Sequence, residues 1–227
     1  MQRLVPRGPD FSDKKVVLIG GSFDPVHVGH LQMAKSAQAH CMADEVWFVP
    51  AGQPWQKPWQ LASNWHRTEM LKLAITGAPG WFIHTSELER EGNTYTVDTL
   101  EEFSQLYPAH SFTWIIGGDQ VRNLPTWHNW ESLFDFANIG MVERAGVSFI
   151  EIPPTLQKYH DRNHLIRIPM PTIAVSSTEI RRQAALLDHL DADIRETART
   201  RLRNNLPRSV ADYIELEKLY QTPETSV

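Results

Sequence analysis

Near its start the chain alternates in a way that few folds can satisfy. An apolar run, KKVVLIG (14–20), leads to HLQMAKSAQAHCMA (30–43) and then to a second apolar run, VWFVP (Val46–Pro50). Short continuous apolar runs are the mark of strands covered on both faces. Between them Leu31, Ala34, Ala37 and Cys41 recur near helical spacing, giving one small face to lay on a sheet. That is a β-α-β unit, and the alternation continues. WHRTEMLKLAI, capped by Ser63 or Asn64, and TYTVDTLEEFSQLY read as helices; WFIHT, FTWIIG, NIGMVER and LIRIP read as strands. AGQPWQKPWQLAS reads as a long loop, Gly146 to Asn163, with two adjacent prolines, as irregular, and the chain from Ser177 onward as mostly helical. The expectation is one doubly wound, mainly parallel α/β domain over 13–220, with the C-terminal helices on the same core and a polar tail at 221–227.

Composition bounds the function classes. Apolar residues make up 41% and charged residues 22% of 227, which is ordinary globular usage and argues against a disordered or fibrous chain. A net charge of −5 argues against a dedicated nucleic-acid or membrane-surface binder. The single Cys41 cannot form an intrachain disulfide, no apolar run approaches the ~20 residues that span a bilayer, and the N-terminus lacks a signal-peptide pattern, so a cytoplasmic location is expected. LVPRG (Leu4–Gly8) matches a thrombin-cleavage sequence, so residues 1–12 read as an added or natural tail.

The segment after the first run, GGSFDPVHVGH (Gly20–His30), carries the chemistry. In open α/β sheets ligands bind beyond the carboxyl ends of strands, where helix N-termini point amides and positive dipole ends outward. Gly20 and Gly21 are expected to turn the chain and admit backbone N–H groups to an anion, Asp24-Pro25 to stiffen the loop, and Gly29 to open space. His27 and His30 share a face if a helix begins near Val28. Phosphate binding is the favoured reading. A metal site lacks third and fourth ligands at convincing spacing, and a purely geometric turn stays open. Neither the Walker nor the dinucleotide glycine pattern is present.

GSFDPVHVGH resembles the Gly-x-Phe-Asp-Pro-x-His-x-Gly-His signature of the nucleotidyltransferases, and SSTEIR (Ser176–Arg181) resembles their second element. By itself SSTEIR would read as a capped helix with a solvated Arg. TYTVDTL (94–100), IIGGDQ (115–120), LPTWHNW (124–130) and IAVSSTEIRR (173–182) follow the order seen in bacterial nicotinate-mononucleotide adenylyltransferases. The resemblance implies a Rossmann-like sheet and transfer of the adenylyl group of ATP, with Mg²⁺, to nicotinate mononucleotide, releasing pyrophosphate. It assigns catalysis to His27, His30 and Arg181; ATP binding to Gly20, Gly21, Ser22, Phe23, Gly29, Arg144, Ser176, Ser177 and Thr178; and mononucleotide binding to Lys57, Thr94, Tyr95, Thr96, Asp119 and Trp127. It implies no protein-held metal, and small-molecule partners only.

Two blocks depart from the family pattern: Gln56 stands where relatives often carry His, ahead of Lys57, and RAG replaces Arg-Pro-Gly after Glu143. A sibling transferase using another acceptor or a cytidylyl donor is disfavoured by the TYT and LPTW blocks. A catalytically silent nucleotide-binding module is disfavoured by the intact His27, His30 and Arg181.

Overall fold

The computed structural model describes residues 4–5, 10, 12–52, 61–144 and 151–221. Six parallel strands, β1 (Lys15–Gly21), β2 (Glu45–Pro50), β3 (Trp81–Ile83), β4 (Ser111–Gly117), β5 (Ala137–Arg144) and β6 (Leu165–Met170), lie in the order β3-β2-β1-β4-β5-β6. The order reverses between β1 and β4, the doubly wound arrangement expected from the alternation. The helices are α1 (Val28–Cys41), α2 (Asn64–Ala74), α3 (Ser86–Glu89), α4 (Thr96–Leu106), α5 (Gly118–Val121), α6 (Leu133–Phe136), α7 (Pro154–Asp161), α8 (Ser177–Ala184), α9 (Ala192–Asn205) and α10 (Arg208–Leu216).

The chain divides into two compact units: 1–21, 32–58 and 77–172, and 22–31, 59–76 and 173–227. The first holds the whole sheet. On one of its faces Val97, Leu100 and Phe103 of α4, Leu133 of α6 and Leu156 of α7 pack with Leu18, Trp47, Trp114, Ile139 and Met141. On the other, Cys41 at the end of α1 hydrogen-bonds the Thr113 hydroxyl while burial pushes its thiol upward. The second unit is helical. Ala198, Leu202, Val210 and Ile214 supply its buried stripe, Arg199 of α9 pairs with Glu215 of α10, and the Ser209 hydroxyl donates to the Leu73 carbonyl at the end of α2.

Three local expectations change. Gly20 and Gly21 do not turn the chain: both pair within β1, and a Cβ on Gly20 would come within 2.3 Å of the Trp114 ring. The glycine is required by an indole crossing the strand, and the left-handed residue is instead Phe23, at φ 47°. The proline-bearing stretch is not irregular throughout, because Pro153 and Pro154 sit at the N-cap and first position of α7, where a fixed φ and a missing N–H are tolerated. WFIHT shortens to Trp81–Ile83 at the sheet edge, where Val5 N–H donates to the Ile83 carbonyl at 3.0 Å and Leu4 bridges Ile83.

Candidate active site

The loop that follows β1 is held by buried charge. Asp24 is wholly buried; its Oδ1 accepts the Ala62 N–H at 3.2 Å and the Tyr220 hydroxyl at 2.8 Å. Its carbonyl accepts from Arg181 Nη1 at 2.7 Å, and the same guanidinium nitrogen stands 3.7 Å from Asp24 Oδ2. Arg67, only 1% exposed, donates to the carbonyls of Ala62 and Ser22 and to Asn64 Oδ1. Burial lowers the affinity of Arg67 for its proton, while the nearby Asp24 charge acts in the opposite direction. A buried carboxylate is tolerable only with such partners.

The two imidazoles leave this loop together. α1 begins at Val28, as expected, and the rings of His27 and His30 stack at 3.8 Å between centroids. The His27 backbone N–H donates to His30 Nδ1 at 3.3 Å, so the neutral ring of His30 carries its proton on Nε2. The Phe23 ring meets His30 edge-on at 5.1 Å. Gly29 is needed for space: a Cβ there would stand 2.8 Å from Val175 Cγ1 and 3.1 Å from the His27 ring. Two stacked imidazoles at a helix N-terminus make a compact set of donors suited to adjacent phosphate oxygens.

SSTEIR folds as the cap and first turns of α8. Ser176 is its N-cap, accepting the Glu179 N–H at 3.2 Å, while the Glu179 carboxylate accepts from Arg182 and Gln183. The Ser177 hydroxyl donates to the Pro25 carbonyl at 3.1 Å, and Arg181 reaches Thr178 Oγ1 as well as Asp24. Residues 24–30 and 176–181, about 150 positions apart, therefore form one group.

In the first unit the mononucleotide candidates gather around the start of α4. Thr94 is buried and hydrogen-bonds Glu87, whose carboxyl is pushed upward by burial and pulled back by the Thr99 and Thr94 hydroxyls. Tyr95 is the N-cap of α4 without a side-chain cap, and Thr96 opens the helix. The Tyr95 ring lies 4.5 Å from that of His128, which brings the TYT and LPTWH blocks together. Trp127 packs partly on the core, with its indole Nε1 buried and without a hydrogen-bond partner among the described residues. Asp119 is exposed on α5, accepting from the Gln120 amide at 3.0 Å. Lys57 and Gln56 lie outside the described residues, as does the side chain of Arg144, whose backbone closes β5.

Sequence reasoning missed Arg67 and Tyr220. Arg67 had a signal: with Met70 and Leu71 it lies at i, i+3, i+4 on the buried stripe of α2, where a cation needs a partner. Tyr220 had none. Among the described residues no three His, Cys, Asp or Glu side chains converge as a metal site. Asp24 is the carboxylate of the loop, and its Oδ1 is already engaged by the Ala62 N–H and the Tyr220 hydroxyl. Among the described residues no helix is long and apolar enough to cross a membrane.

With this geometry in place, residues 18–183 match the cytidylyltransferase-like family. The chain is 38% identical over 214 residues to a probable nicotinate-nucleotide adenylyltransferase of Methylibium petroleiphilum, covering 94% of this chain and 96% of that one. It is 40% identical over 173 residues to a counterpart of the same description from Bordetella avium, covering 76% and 86%. A solved structure of Plasmodium falciparum nicotinic acid mononucleotide adenylyltransferase, complexed with NaAD, superposes with a TM-score of 0.69 at 22% identity, covering 91% of this chain and 97% of that one, and shares the fold.

Proposed function

Because the chain belongs to the nicotinate-nucleotide adenylyltransferases of the cytidylyltransferase-like family, enzymes of adenylyl transfer in NAD biosynthesis, we propose that it joins the adenylyl group of Mg²⁺–ATP to nicotinate mononucleotide, with residues 13–220 as the catalytic domain. The observation that carries this reading is the union of the two motifs through Ser177, Arg181 and the carbonyls of Pro25 and Asp24. A phosphate oxygen of the mononucleotide attacks the α-phosphorus of ATP, the bond to the β-phosphate oxygen breaks, and pyrophosphate leaves without a covalent enzyme intermediate. The nucleophile is already ionised at neutral pH, so no activated side chain is required. The work is positioning and charge neutralisation.

His30 Nε2–H and the His27 ring donate to phosphate oxygens as charge develops, and Arg181 adds a guanidinium for the β- and γ-phosphates. Backbone of Gly20, Gly21, Ser22, Phe23 and Gly29 and the first turn of α8, Ser176 to Thr178, line the ATP side, with Arg144 toward the base. The mononucleotide falls to the other group: Trp127 stacks on the pyridine ring, Asp119 takes ribose hydroxyls, and Lys57 adds a cation. The amides opening α4 at Thr96, which have no side-chain cap, receive the pyridine carboxylate. Magnesium bound to the triphosphate would supply charge neutralisation there.

The test is pyrophosphate release from ATP and Mg²⁺ with a panel of phosphate acceptors. Release with nicotinate mononucleotide above all others supports the reading; release only with a phosphopantetheine or with a cytidylyl donor overturns it.

A further inference from the structure

We infer that Tyr220 is a positioning residue for the phosphate loop, its hydroxyl latching the buried Asp24 carboxylate and through it the segment that presents His27, His30 and Arg181. The inference rests on the phosphate role proposed for that segment. The Tyr220 hydroxyl donates to Asp24 Oδ1 at 2.8 Å across 196 residues of sequence. Asp24 has no solvent to fall back on, and its other partners each hold something else: Ala62 leads into α2, and Arg181 is the cation meant for phosphates. The phenol is the neutral side-chain donor of the set, able to satisfy the carboxylate without competing for the nucleotide.

The chain accepts an unusual conformation to deliver it. After α10, Lys218 and Tyr220 adopt φ of 50° and 65°, a region sparsely used by residues with a Cβ. Such conformations persist where their surroundings over-determine them. Burial, then the Asp24 charge, pushes the Tyr220 hydroxyl upward, so it stays a donor throughout the neutral range. A loosened Asp24 would release the Ser22–Val26 turn, and small displacements of positioned donors are costly in turnover.

The experiment compares Tyr220→Phe with Tyr213→Phe in the full chain. Tyr213 makes a hydrogen bond of the same length, 2.8 Å, to His66 Nδ1 in the same unit, away from Asp24. Both variants are melted, assayed for kcat and KM with nicotinate mononucleotide, and examined by imidazole ¹H–¹⁵N resonances. Tyr220→Phe is expected to lower kcat roughly tenfold, with KM for the mononucleotide within about twofold, and to move the His27 and His30 resonances. Tyr213→Phe is expected to lower the melting temperature alone. In an Asp24→Asn background the Tyr220→Phe loss should shrink to about twofold or less. Equal behaviour of the two Tyr→Phe variants, with unmoved His27 and His30 resonances, overturns the latch. A wild-type chain that releases no pyrophosphate overturns the proposed function, and the resonances still decide the latch.

Discussion

In the Ser22–His30 loop the anchoring contacts come from far along the sequence: Ala62, Arg67, Ser177, Arg181 and Tyr220 lie 38 to 196 positions from their partners. Around Thr94–Thr96 they span 12 to 33 positions. Glu87 is joined to Thr99 and Arg90 to Glu102, each 12 positions apart, and Tyr95 meets His128 by ring contact. Closing long loops carries an entropy cost that only a folded second unit repays, so the phosphate loop is set all at once or not at all. A turn tied over shorter spans can adjust its side chains without disturbing the rest. On the proposed function, the chemistry common to adenylyl transfer falls to the over-determined region and the choice of acceptor to the adjustable one.

The largest expected effect strikes the long-range anchors. Arg67→Met removes every donor of that side chain beside a buried carboxylate and should cost about 3 kcal/mol of stability. Urea melts read it, and a loss under about 1 kcal/mol would mean that the guanidinium does not anchor the loop. Next comes His30→Ala, expected to lower kcat by roughly a hundredfold, about 2.7 kcal/mol, with mononucleotide binding little changed. Near-normal turnover in pyrophosphate release would remove the imidazole from the chemistry.

On the shorter-span side the expected effects are smaller. Nicotinate mononucleotide should be preferred over nicotinamide mononucleotide by at least tenfold, about 1.4 kcal/mol, because a carboxamide sets its own NH₂ against donors. Trp127→Ala should weaken both acceptors alike, since the ring face is common to them. Measuring kcat/KM for both acceptors on both chains checks this, and a collapsed ratio in the variant would transfer selection to the indole. The smallest effect belongs to Glu87. Burial raises its value in the folded chain above the ordinary 4.5, so its contribution is full at pH below 4.5 and is lost as pH climbs through the raised value. Glu87→Gln should flatten that part of the melting-temperature profile; an unchanged slope would place the titration elsewhere.

Much of the geometry around His27, His30 and Ser176 was legible because the constraint is written locally. His27 and His30 are three apart at a helix start, and SSTEIR reads as a capped helix, with Ser176 at the N-cap. What was not legible is pairwise and distant. Gly20 looks like a turn glycine until Trp114, on the neighbouring strand β4, is seen to cross it. The prolines of α7 break a pattern in sequence and begin a helix in space. Tyr220 carries no local sign at all, since its role exists only when Asp24 is beside it.

The short strand β3 closes one end of the sheet, and the tail residues Leu4 and Val5 pair with it at Ile83. An unpaired outer strand is a template for another chain, and here Val5 occupies part of that edge, so this segment is expected to act as a guard against self-association. Thrombin acting on LVPRG would carry the guard away, and the trimmed protein should show more light scattering on storage than the intact one at equal concentration.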